Sequence, residues 1–269
     1  MRIWLISLLL LLGGAATAAD CSSMLQAIGE PVIKGDRDEL TGLLCREGYV
    51  LVHDNALRTP VWVVEHLTPA RFAGTADRKK LGEPFAADSE LPEGKRAEKP
   101  DYVNSGYDRG HMAPAADMKW SDNAMVQSFL LSNMAPQQGQ DLNRHIWADL
   151  EEMVRNWTCE RGDLYAITGP IYDQPGKTIG ADKVAVPSAF FKMVVDLGRR
   201  RVISFILPNA RVPKQGKPPA EVLQPYIVTV REVEERSGMH LLSALAPREQ
   251  RRLATLRSVM WPVRQPCAS

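Results

Sequence analysis

The sequence predicts a mixed α+β domain on a largely antiparallel sheet. Three observations carry this: two β-rich runs separated by a short turn, three later apolar runs rich in β-branched residues, and helix signals between these groups and again at the end. Residues 20–269 are expected to fold as one domain. With 33 Lys+Arg against 32 Asp+Glu and 45% apolar residues, the chain has ample material for a core.

Residues 1–19 read as a secretory signal peptide. Arg2 precedes the apolar run Ile3–Leu12, interrupted by Ser7, and a small-residue segment GGAATAA offers cleavage near Ala18 or Ala19. The run is about half the length of a bilayer-spanning helix, which argues against a retained membrane anchor. Asp20 disfavours lipidation of Cys21. The expected location is therefore secreted or periplasmic. In such an oxidising compartment the four cysteines are expected to pair, and the expected pairing is Cys21 with Cys45 and Cys159 with Cys267. Each bridge would contribute ~2–4 kcal/mol.

The runs GYVLVHDN (48–55) and PVWVVEHL (60–67) read as a hairpin. Residues 74–101, charged and rich in Gly and Pro, read as a long surface loop. Ser121 is placed to cap a helix reaching about Leu130, and Gln140 or Asp141 to open a second helix running to about Asn156. DLYAITG (163–169), VAVPSAFFKMVVD (184–196) and RVISFILP (201–208) read as central strands. Thr229 and Glu232 form a capping-box pattern for a helix ending near Gly238, and 247–258 reads as a basic helix.

Two clusters of polar residues stand where neither strand nor helix needs them. In Tyr107-Asp108-Arg109-Gly110-His111, a histidine able to take a proton near neutral pH adjoins an arginine able to grip phosphate in a two-pronged bond. A structural Asp–Arg pair beside a satisfied histidine accounts for the same residues. Further on, Asn143, Trp147 and Glu151 are spaced i, i+4 and i+8 and so share one helix face. That face either meets a site or starts with Asn143 serving the first helical turn. By contrast, Gly176-Lys177-Thr178 lacks the first glycine of a phosphate loop, and no Gly-x-Ser-x-Gly element is present. His53, His66 and His240 read as ordinary packed or surface histidines, and His145 points off the Asn143 face. The arginine clusters at 199–201 and 248–257 read as solvated faces.

The ordered blocks DRGH, LSNMAPQ, DLNxxxWxxLE, TGP and VAVPxxFFK resemble the DNA/RNA non-specific endonuclease family over about residues 48–240. The resemblance implies a ββα-metal (His-Me finger) fold, in which a histidine on a strand faces an asparagine on a helix. It implies hydrolysis of phosphodiester bonds in DNA and RNA, leaving 5′-phosphate and 3′-hydroxyl ends. His111 is then the general base and Asn143 the ligand of Mg²⁺, with Mn²⁺ as a substitute. Glu151 orients the waters around the ion, and Asn133 fixes local geometry or contacts phosphate. Arg109 orders the site or binds phosphate, with Asp108, its partner, buttressing the loop. Arg78 takes the part of the arginine that stabilises the transition state, with Arg71, Lys79 and Lys80 as neighbouring candidates. A homodimer is admitted but not required, and the sequence is silent on an inhibitor protein. Two other functions fit fewer residues: a silent nucleic-acid-binding module, which has no use for a general base, and a phosphodiesterase of small nucleotides.

The formal charge of +1, neutral once residues 1–19 are removed, excludes a polybasic grip on nucleic acid. Positive charge must be supplied locally, by an ion and a few placed arginines, so affinity without metal should be modest.

Overall fold

Why the apolar runs are so nearly continuous becomes clear from the central sheet, which is buried on both faces. The computed structural model describes residues 19–35, 37–173, 176–264 and 266–267. The expected leader lies outside these except for Ala19, which opens a helix Ala19–Gln26. Seven antiparallel strands lie in the order Ile227–Val228, Arg201–Pro208, Ala189–Asp196, Leu164–Ile171, Thr59–Leu67, Val50–Asp54 and Leu44–Cys45. Alternate residues of Ala189–Asp196 divide between two cores: Phe190 and Val194 face one, Phe191, Met193 and Val195 the other. The helices Ala19–Gln26, Val230–Ser237 and Pro247–Thr255 supply residues to the second core. The first core is shared with Asp122–Ser128 and the long helical segment Gly139–Arg161.

The expected hairpin is present, with one register irregularity between Val52 and His53. The run 184–196, expected as one strand, is broken. Val184–Ala185 pairs with Thr178–Ile179, and the sheet strand begins only at Ala189, because Pro187 has no N–H to offer a ladder. Ser121 caps its helix as expected, accepting the Ala124 N–H at 3.2 Å, and that helix ends at Ser128. The capping box at Thr229 and Glu232 closes with bonds of 2.7 and 3.1 Å, and the helix stops at Gly238 in a left-handed conformation. The C-terminal helix stops at Thr255, short of Ser258. Both expected disulfides form, with Cα separations of 5.6 Å for Cys21–Cys45 and 5.4 Å for Cys159–Cys267. Among the described residues, no helix is long and apolar enough to cross a membrane.

Residues 74–101 are not simply a surface loop. Phe85, Asp88, Leu91 and Ala97 are buried, and the segment is pinned from several sides. Asp88 accepts from Arg46 at 2.6 Å and from Ser132 at 2.5 Å, and Leu131 N–H donates to Ala86 at 2.8 Å. Charge and proline mask this anchoring in the sequence, because its apolar contacts occur singly and follow no period.

Candidate active site

The DRGH motif is a short strand, Asp108–His111, paired antiparallel with Met134–Gln137. Along a strand alternate side chains share a face, so Arg109 and His111 point one way and Asp108 the other. Gly110 is required for close approach: a Cβ there would collide with the Gln137 side chain. Gly139 has a similar reason, since its Cβ would meet the Asp108 carboxylate oxygens at 2.7–2.8 Å. After Gly139 the chain leaves helical geometry at Gln140 and Asp141, then runs helically through Trp147 and on as an α-helix from Ala148 to Arg161, ending at Gly162. This helix outruns the expected end at Asn156. Its entry is set by Asp141 at φ 62°, a left-handed conformation held by Arg211 on the carboxylate at 2.8 Å and by the Asp141 N–H donating to His145 Nδ1 at 3.1 Å. His145 therefore serves the turn and points away from the site, as expected.

Asn143, in the first turn beyond Asp141, donates Nδ2–H to Asp108 Oδ2 at 2.9 Å. A carboxylate acceptor fixes which end of the amide is NH₂, leaving Oδ1 as the open acceptor. Asp108 also holds Arg144 through both oxygens, one at 2.7 Å from Nε, and these bonds keep its carboxyl below the usual range. The expected Asp108–Arg109 partnership is thus corrected. Neighbouring residues on a strand diverge, and Asp108 turns to the helix. It buttresses, as expected, but what it buttresses is Asn143.

Two adjoining hollows, of about 510 and 320 Å³, share Arg78, His111 and Asn143 as lining. The first also holds Arg109, Asp108, Arg144 and the rings of Phe85, Tyr102 and Tyr107, and the second holds Glu151. Of the basic candidates, Arg78 reaches the cleft, whereas Arg71 stacks on Trp120 at 4.7 Å and Lys79 and Lys80 lie outside the lining. Asn133 is fully buried: its Nδ2 donates to Ala113 and Ser128 carbonyls at 2.9 and 2.8 Å, and its Oδ1 accepts from Ala113 N–H at 3.0 Å. It fixes the backbone just after His111 and is out of reach of a phosphate. The expected shared face of Asn143, Trp147 and Glu151 holds for its two ends. Trp147 is core, packed on Phe190 at 5.7 Å.

His111 Nε2 is shielded and has no hydrogen-bond partner among the described residues. Burial of the ring, reinforced by the positive charge of Arg78, pushes its pKa down to about 3. The imidazole therefore stays neutral and able to accept a proton well below the usual histidine range. The acid limb of the kcat/KM profile is expected to fall clearly below pH 6.5, and a limb at or above 6.5 would contradict this environment. Stability follows the same sign. As pH falls from 6.5 toward about 3 only the unfolded chain takes up this proton, so the folded state loses ground across that window. Burial likewise raises Glu151 to about 7, with Lys192 and Arg155 pulling the other way.

Beneath the site lie charges that the sequence reading passed over. Lys192 is 1% exposed, donates to Thr168 Oγ1 at 2.7 Å, lies 3.5 Å from the Met112 carbonyl and sits over Trp147 at 5.3 Å. It thereby ties the exit of the histidine strand and the asparagine helix to the central sheet. Glu65 is equally buried, and its carboxyl is pushed well above the usual range by burial. Both stand in the middle of apolar strand runs, a signal available from sequence alone.

A histidine hairpin packed against an asparagine helix, with guanidinium groups over one cleft, is the ββα-metal nuclease arrangement. A family model described as DNA/RNA non-specific endonuclease matches residues 31–248, and the chain belongs to that family. Human mitochondrial endonuclease G is 37% identical over 213 residues, covering 74% of this chain and 69% of its own. The mitochondrial nuclease of Saccharomyces cerevisiae is 36% identical over 233 residues, covering 77% and 68%. Among solved structures, a chain from the crystal structure of an EndoG/EndoGI complex superposes with a TM-score of 0.75 at 30% identity, covering 88% of this chain and 96% of that one. The protein is accordingly a nuclease of the metal-dependent, sugar-non-specific type. The mitochondrial relatives contradict the secreted or periplasmic location expected from the N-terminus. A basic residue followed by an apolar run is too coarse a pattern to specify the compartment.

Proposed function

We propose that residues 20–269 form a single endonuclease domain that cuts DNA and RNA with little sequence preference and leaves 5′-phosphate and 3′-hydroxyl ends. One observation carries this reading: His111, Asn143 and Arg78 meet at the junction of two hollows with their reactive atoms unspent on internal bonds. His111 takes the proton of the attacking water. Arg78 and Arg109 offer N–H donors to the phosphate as its charge grows. Backbone contacts of this kind carry no sequence information, which accounts for acceptance of both sugars and any base.

The donor set fits a hard cation. Asn143 presents one neutral oxygen, Glu151 lines the same hollow, and no cluster of three His, Cys, Asp or Glu able to hold a metal exists among the described residues. A single amide ligand suits Mg²⁺, which keeps most of its waters, and Mn²⁺ would substitute. When bound by Asn143, the ion supplies Lewis-acid stabilisation of the phosphate oxygens. The names of the relatives support a mitochondrial setting.

The test is digestion of supercoiled plasmid and of structured RNA with Mg²⁺, in parallel with EDTA. Both substrates are expected to be cut, and EDTA to stop the cutting. Intact plasmid in Mg²⁺ would overturn the proposal. Faster turnover of a dinucleotide than of long DNA would reassign the enzyme to small substrates.

A further inference from the structure

Arg78, Arg109 and His111 come to the cleft from two separate segments, yet all three meet the Phe85 ring; Arg78 and His111 also meet Phe129, and Arg109 lies 5.9 Å over Tyr102. The Arg109 guanidinium carbon lies 4.6 Å, and that of Arg78 5.8 Å, from the centre of the Phe85 ring. Arg78 also lies 5.1 Å over Phe129. The His111 ring meets Phe129 edge-on at 5.1 Å and Phe85 at 5.9 Å, and the two phenyl rings meet edge to face at 5.2 Å. Their spacing is fixed by main chain, since Ala86 N–H donates to the Phe129 carbonyl at 3.3 Å.

Neither arginine is held by a close carboxylate. Arg78 has no ion pair or hydrogen bond to a described residue, and the nearest partner of Arg109 is the exposed Glu83 at 3.9 Å. This contrasts with Arg144, whose N–H groups are committed to Asp108. We propose that Phe85 is a positioning residue that seats Arg78 and Arg109 by their flat faces and leaves their edge N–H donors free for a substrate phosphate. A carboxylate seat would spend those donors and cancel the charge. The ring attracts the cation through its quadrupole and takes no hydrogen bond. The proposal rests on the reading that both arginines meet the scissile phosphate.

The experiment measures kcat/KM on long DNA in Mg²⁺ for Phe85→Leu and Phe85→Tyr, each in the native chain and in an Arg78→Ala/Arg109→Ala background. Phe85→Leu is expected to cost about tenfold in the native chain, roughly 1.4 kcal/mol, with Phe85→Tyr restoring most of it. In the double-alanine background the leucine variant should cost less than about twofold, since the groups it seats are gone. Native rates for Phe85→Leu, or equal losses in both backgrounds, would overturn the proposal and leave Phe85 a packing residue. If the double-alanine chain itself cuts at the native rate, the phosphate-binding reading fails and the proposal with it. Circular dichroism and thermal unfolding accompany each variant. Should Phe85→Leu not fold, Phe85→Met, of similar volume and also without a ring, is put through the same comparison.

Discussion

His111→Ala is expected to lower the plasmid-cutting rate at least ~100-fold, the low end for removal of a general base. Four features of the ring make it the proton acceptor. It is neutral over most of the acid range, without a hydrogen bond to any described residue, shielded from water on its Nε2 side, and part of the lining of a cleft that Asn143 and Arg78 also line. The two phenyl rings beside it would remain, so the substitution opens a small cavity at a partly solvent-facing position and leaves both cores intact. Initial rates under saturating Mg²⁺, with thermal unfolding as a check on folding, measure the effect. Undiminished cutting by the variant would move the general base elsewhere and leave the nuclease assignment standing.

Asn143→Ala is expected to weaken divalent-ion binding and to lower the rate at limiting Mg²⁺ by at least ~100-fold, the upper end of what loss of an outer supporting contact costs a metal site. One hydrogen bond aims the ligand. Because Asp108 takes the Nδ2–H of Asn143, the amide oxygen is oriented outward, and alanine removes that oxygen without stranding Asp108, which keeps Arg144. Titration calorimetry with Mg²⁺ or Mn²⁺ alone reads binding independently of turnover. High metal concentration should recover part of the rate. Native ion affinity in the variant would place the ion on other residues. Asn143→Asp is a less clean test, since it sets a second carboxylate against Asp108.

Much of this protein was legible in the order of its residues because local rules are short-ranged. Ser121 and Thr229 cap because their hydroxyls reach N–H groups three residues on, and the strands read out because a sheet buried on both faces needs unbroken apolar runs. The site's main members were legible for another reason: five motif blocks in a fixed order resemble one enzyme family, and that family is confirmed. Local reading failed where distant chain segments compete for a residue. Asp108 chose Arg144 over its neighbour, Asn133 sank into the interior, Pro187 cut a strand short, and a charged loop was drawn inward by Arg46.

The order of residues was enough for the fold class and for naming the histidine, asparagine and arginines that line the cleft, while the expected disulfide pairing, one of three open to four cysteines, was established by the folded chain. Residue order misjudged the compartment, which a short apolar leader does not encode. How those groups are held emerges from the folded chain: an amide turned by Asp108, an imidazole kept neutral between two rings, and guanidinium groups resting on Phe85 instead of a carboxylate. Spacing along a chain fixes which side chains share a face over a few residues. The charge state and direction of a side chain depend on what packs against it, and at this site the deciding neighbours come from segments that meet only when the chain has folded.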